Sequence, residues 1–235
     1  MAEVIEKVKL EYKDAVAIEG FPGVGLVGHI AATYIIHSLK LSEVGYMCSD
    51  KIPPVSLVFE GKVLPPLRVY AKENLIVFIC DIPLPDESIY EITKTIGNFL
   101  KEKGVKMSYS LAGIGIGETG ENVYVAASEK KFLENVEEKE LKILQMGTIS
   151  GASGSLLSEC IKQNIPALGL LAETVGNVPD PRASANLIRR VSKLLDLKID
   201  ISPLLKEAEL VEARYKKLSE DMERTKRKEA PTMYL

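Results

Sequence analysis

No apolar run in this sequence approaches the roughly 20 residues that a membrane helix needs. The longest, such as Leu75 to Cys80, are strand-sized, so no membrane span is expected. Neither sign of charge prevails: 30 Lys and Arg stand against 33 Asp and Glu, a formal net charge of -3. That balance offers no general attraction to nucleic acid or anionic lipid, and neither is expected as a principal partner. Cysteine is scarce. Cys48, Cys80 and Cys160 are odd in number, widely spaced and free of any CxxC pair. This excludes a disulfide framework or zinc motif, and all three read as small buried hydrophobes in a reducing compartment. Met1 to Tyr12 is charged throughout and lacks the apolar core and cleavage site of a secretory signal, so a cytoplasmic location is expected. The two histidines, His29 and His37, are eight apart on a predicted helix and point about 80° apart at 100° per residue. They do not form a chelating pair.

What is present suits a well-buried core: 235 residues, 46% of them apolar. Ala15 to Glu19 reads as a strand stopped by Gly20 and Pro22, and Gly25 to Leu39 as a helix with Ile30, Ala31, Tyr34 and Ile35 on one face. From Val44 to Asp81 the pattern is β-rich, with strands at Val55 to Phe59, Leu67 to Ala71 and Leu75 to Cys80, as inserted antiparallel hairpins would give. Ser88 and Glu91 are spaced as a capping box, predicting a helix that ends near Lys103 with Gly104 as its stop. Strands follow at Met107 to Ala112, Asn122 to Ala127 and Ala167 to Ala172, with helices at Glu129 to Asn135 and Ser153 to Gln163. Asp180 stands where an N-cap belongs, with Pro181 at the first helical position of a run to Leu195. Residues 1–200 are therefore expected to form one α/β domain.

Beyond it, Leu204, Ala208, Val211, Tyr215, Leu218 and Met222 make a heptad stripe, predicting within 201–228 an amphipathic helix of about 26 residues, about 39 Å long at 1.5 Å per residue. Such a stripe either packs back on its own domain or meets another chain. Pro231 stops the helix, so 229–235 is expected to be a flexible tail.

Gly23, Gly25 and Gly28 spell G-x-G-x-x-G between a predicted strand and helix, a context in which backbone amides cradle a pyrophosphate. The same glycines equally serve a tight turn and close helix-to-strand approach. Two further glycine turns, Gly113 to Gly120 and Gly147 to Gly154, also follow apolar segments, placing a cluster of loops at one sheet edge. Neither carries the Lys-Ser or Lys-Thr pair of a P-loop. Ser153 sits among glycines, but the second is one residue early for a nucleophile elbow and both histidines precede it in the chain. Asp81, Glu118 and Glu173, at or after strand ends, have the chemistry to bind magnesium, but residues so placed more often cap helices or bond turn amides. No cofactor and no metal is expected. A nucleotide- or phosphate-binding enzyme using the glycine loops is the alternative reading.

Three stretches together, Glu19 to Gly28, Gly147 to Gly151 and Val178 to Ala183, resemble the PAC2 family of proteasome assembly chaperones. The resemblance implies a three-layer α/β fold, Rossmann-like or phosphorylase-like, with helices on both faces of the sheet, inserted β-hairpins and a long C-terminal helix. It also implies a non-catalytic role. Archaeal members end in a hydrophobic residue, Tyr and any residue, and this sequence ends Met233-Tyr234-Leu235. In the family such tails enter pockets between α-subunits of the proteasome core particle, which implies partner-binding roles for Met233, Tyr234 and Leu235. Tyr supplies an aromatic face with a polar tip, Met fills an irregular recess, and the terminal carboxylate can pair with a Lys. Burying about 200 Å² of aromatic surface at about 25 cal/mol/Å² yields about 5 kcal/mol, much of it offset by ordering three residues at about 1 kcal/mol or more each. One tail binds weakly, so several on one body are needed and a homo-oligomer is expected.

Overall fold

The computed structural model describes residues 2–9 and 11–210. In chain order the strands are β1 (Glu3–Glu6), β2 (Val16–Gly20), β3 (Ser42–Cys48), β4 (Leu57–Phe59), β5 (Lys62–Leu64), β6 (Leu67–Lys72), β7 (Leu75–Cys80), β8 (Met107–Gly115), β9 (Val123–Ala127), β10 (Lys142–Ile143) and β11 (Ala167–Thr174). The α-helices are α1 (Val27–Leu39), α2 (Asp86–Glu102), α3 (Gly151–Gln163) and α4 (Pro181–Leu195). Among the described residues nine strands form one sheet in the order β1-β3-β6-β7-β2-β8-β11-β9-β10, while β4 and β5 pair only with each other.

The centre of the sheet, β7-β2-β8-β11, is parallel, and an antiparallel meander of β6, β3 and β1 extends it on one side. Central parallel strands are covered on both faces and so read as unbroken apolar runs. All six residues of β7 are buried, with Leu75, Val77 and Ile79 in one core and Ile76, Phe78 and Cys80 in the other. The first core lies under α1 and α4, the second under α2 and α3, which makes the three layers. The expected α/β architecture, with helices on both faces and inserted hairpins, is the observed one.

Local differences have local reasons. The charged N-terminal segment is a strand, β1, because an edge strand needs only backbone pairing and its Glu3 and Glu6 side chains deter further strand addition. Helix α2 starts at Asp86, ahead of the predicted capping box. Ser88 donates its hydroxyl to the Pro85 carbonyl instead of capping an amide, and Glu91 accepts from Ser49 and pairs with Lys51. Cys48 is exposed at the end of β3, against the expectation of burial. Cys80 and Cys160 are buried, and burial pushes their thiols up to about 12 and about 11, leaving them unreactive. The predicted Asp180 cap is present: its carboxylate accepts from the Ala183 amide at 2.9 Å, with Pro181 at the first helical position. A further helical segment occupies 202–210, and Leu204 and Ala208 of the stripe are buried, Leu204 against the α1/α4 core. The rest of the predicted helix and the tail lie outside the described residues. Among the described residues, no helix is long and apolar enough to cross a membrane.

Candidate functional site

The loops leaving β2 and β8 diverge at the carboxyl edge of the parallel strands, the place where open α/β sheets commonly bind ligands. A crevice of about 310 Å³ opens there, walled by Phe21 to Val24, by Leu111 to Gly115 and by Thr148 to Ser153. The three glycine-rich segments therefore do meet at one edge. Two of the three signature stretches are also hydrogen-bonded to one another: the Asp180 amide donates to the Gly25 carbonyl at 2.9 Å, and the Gly25 amide donates to the Gly176 carbonyl at 2.9 Å.

Most of the glycines are consumed by packing. A Cβ on Gly28 would lie 1.9 Å from the Leu111 carbonyl oxygen, so its absence is what lets α1 rest on β8. Gly25 has φ 63 and is pressed against Thr174, where a Cβ would stand 2.5 Å from the hydroxyl oxygen. Gly23 alone of the motif is extended, with open space where a Cβ would go.

Two buried carboxylates brace the edge. Asp180 accepts from Thr119 Oγ1 at 2.6 Å and from Thr174 Oγ1 at 2.7 Å as well as capping α4, tying the loop after β8, the end of β11 and α4 together. Glu19, 1% exposed, accepts from the Phe21 amide at 2.9 Å and from Ser153 Oγ at 3.0 Å. Burial pushes its carboxyl up to about 6, against the opposing pull of these hydrogen bonds. Ser110 lies close enough to favour the charged form, but among the described residues its hydroxyl makes no hydrogen bond. The sequence reading missed Glu19; its one signal is an acid at the end of an apolar strand.

These facts weigh against phosphate chemistry in the crevice. Among the described residues no basic side chain lines it, and Ser153 has a carboxylate directly behind it that opposes an anion. Ser153 also lacks a histidine partner: His29 lies against Asp81, Nε2 to Oδ1 3.8 Å, with burial holding its imidazole below the ordinary value, and His37 is exposed on α1. The three carboxylates considered for magnesium stay apart in their contacts. Asp81 pairs with Arg68, Glu173 accepts from Asn122 and Tyr124, and Glu118 is exposed. Among the described residues no group of three or more His, Cys, Asp or Glu is placed to hold a metal. Met233, Tyr234 and Leu235 lie outside the described residues.

A three-layer α/β body whose signature loops are locked together at one sheet edge is the class of protein that the fold defines. The PAC2 family profile matches residues 17–219, and the chain belongs to that family. It is 38% identical to the uncharacterized protein MJ0106 of Methanocaldococcus jannaschii over 98% of this chain and 97% of that one. Among solved structures it is similar to Pyrococcus furiosus PbaA, described as an archaeal homolog of proteasome-assembly chaperone, with 42% identity, TM-score 0.86, and 99% of this chain and all of that one covered. Pyrococcus furiosus PbaB, described as an archaeal proteasome activator, shares the fold at 24% identity and TM-score 0.84, over 93% of this chain and 98% of that one.

Proposed function

We propose that this protein is a non-catalytic proteasome assembly chaperone or regulator that binds the core-particle α-ring through Met233, Tyr234 and Leu235. The observation that carries the reading is the conjunction of full-length similarity to PbaA with a sequence ending in hydrophobic-Tyr-any residue. The α/β domain, residues 1–200, is the assembly platform, 201–228 the spacer and 229–235 the binding tail. Each tail binds weakly, and a homo-oligomer presents several at once, converting later contacts into intramolecular ones. The chemistry of the edge supports a binding role, since the crevice gathers packing glycines and bracing carboxylates, and Ser153, whose hydroxyl donates to Glu19, has no histidine beside it.

Deleting the last three residues is expected to abolish pull-down of purified core particles while leaving the oligomer size unchanged by light scattering. Retention of core-particle binding by the truncated protein would rule out the tail mechanism.

A further inference from the structure

The β4–β5 hairpin is not part of the main sheet, and a two-stranded ribbon is only marginally stable by itself. It is held between two proline pairs, Pro53-Pro54 and Pro65-Pro66, and lies over a cavity of about 510 Å³. Its register sets Leu57 opposite Leu64, Val58 opposite Val63 and Phe59 opposite Lys62. Glu60 and Gly61 make the turn, with φ 48 and 78, both positive as a type I′ turn requires. The residues flanking such a turn exchange both backbone hydrogen bonds, and the pattern then alternates along the ribbon. Phe59 and Lys62 are that pair. The amide and carbonyl of Val58 therefore point away from β5, along the outer edge of β4, and take no backbone partner among the described residues.

The strand edges differ in how they are guarded. Charged side chains keep an edge from accepting another strand. Among the described residues the main sheet ends in β1, with Glu3 and Glu6, and in β10, with Lys142, while β5 carries Lys62. From Val55 to Phe59 the β4 edge has no charge, and Val55, Val58 and Phe59 are 40%, 71% and 60% exposed.

We propose that β4 pairs with β4 of a second copy of this chain, antiparallel about a two-fold axis at Val58. The two ribbons then make one four-stranded sheet, past the three strands that a sheet needs to hold itself. Val58 exchanges its free backbone hydrogen bonds with the partner's Val58. Leu57 lies opposite the partner's Phe59, and Glu60 opposite the partner's Ser56, so the central pairs are apolar and no like charges meet. With Val63, 65% exposed, these side chains present about 400 Å², about half of what each partner gives to a lasting interface. The contact is therefore concentration-dependent and doubles a body that other contacts hold. It deepens the homo-oligomer proposed above and rests on that reading for its use, which is to put twice as many tails on one assembly.

The test is cross-linking of the full-length protein without core particles, in a Cys48→Ser background that removes the exposed thiol. Paired residues that exchange hydrogen bonds have Cα atoms about 5.5 Å apart, inside the disulfide range of about 4.4–6.8 Å. Val58→Cys is expected to oxidise to a covalent dimer with copper phenanthroline. Val63→Cys, three strand spacings or about 14 Å from its counterpart, should remain a single chain on a non-reducing gel. Val58→Lys sets like charges opposite each other and should halve the mass seen by light scattering at high protein concentration, while Val63→Lys should leave it unchanged. If Val58→Lys loses its native circular dichroism, the cross-link decides, since Val58→Cys hardly alters the side-chain volume. The cross-link is also expected after deletion of the last three residues, so failure of the tail and failure of this contact are read separately. Three results overturn the proposal: no cross-link at Val58, equal cross-linking at Val58 and Val63, or a folded Val58→Lys protein of undiminished mass. The last leaves the homo-oligomer standing and removes only this contact.

Discussion

The crevice at the carboxyl edge and the cavity under the hairpin are of comparable size, yet they treat their polar groups differently. Around the crevice, Glu19 and Asp180 accept from amides and hydroxyls of several elements, and glycines let backbones touch. Under the hairpin, an ion pair is formed while a buried Arg Nε and a Thr hydroxyl are left over. Buried polar groups without partners are rare. The residues that mark the family thus build a braced edge, where Ser110 beside Glu19 is left without a partner among the described residues, and further unspent capacity, at Arg68 and Thr33, lies under the hairpin.

The largest expected effect would break this comparison at its firmest point. Gly28→Ala puts a methyl 1.9 Å from a backbone oxygen of β8, which only displacement of α1 can relieve. We expect a loss of about 3 kcal/mol or more in urea unfolding, at the upper end for overpacking. Gly23→Ala, made in parallel, meets nothing within 4 Å and should change stability by no more than about 0.5 kcal/mol. Equal effects at the two positions would show that the motif is not read by packing.

Next in size is Asp180→Ala. It removes the α4 cap and leaves the hydroxyls of Thr119 and Thr174 without their acceptor, the second of them fully buried. Losing a cap costs about 0.5–2 kcal/mol and orphaning a buried donor about 1–3 kcal/mol, so about 2–3 kcal/mol is expected. Thermal and urea unfolding read it directly. Asp180→Asn, which keeps an acceptor oxygen, should fall between wild type and alanine; a loss as large as that of alanine would show that the charge, and not the acceptor, holds the edge.

Signals that act within a few residues were legible in the sequence. The unbroken apolar run of β7 and the Asp180-Pro181 helix start needed only local pattern and backbone chemistry. The start of α2 was misplaced because the Ser88 hydroxyl has a carbonyl to bond as well as an amide to cap, and spacing does not distinguish the two. Convergence of the glycine loops followed from strand order, but their purpose did not. Whether a glycine faces a ligand or a neighbouring carbonyl depends on the approach of α1 to β8, set by side chains far apart in the chain. The hairpin cavity had no sequence signature, since Thr33, Arg68 and Leu57 come from three separate elements.

Glu19 offers the smallest effect and the sharpest contrast with Arg68–Asp81, because it is a buried carboxylate with hydrogen bonds and, among the described residues, no paired cation. Its carboxyl titrates near 6 in the folded protein against an ordinary 4.5, so folding favours the protonated form. The stability this contributes is fully present below about pH 4.5 and is lost as the pH rises through about 6, an amplitude of about 2 kcal/mol for the 1.5-unit difference. Glu19→Gln keeps an acceptor for Phe21 or Ser153 and cannot ionise. Urea unfolding at pH 5 and pH 8 should therefore show a larger fall in stability for wild type than for the variant. Parallel profiles for the two proteins would mean that the carboxyl reaches water or a counter-charge, and the picture of a dry, braced edge would have to be abandoned.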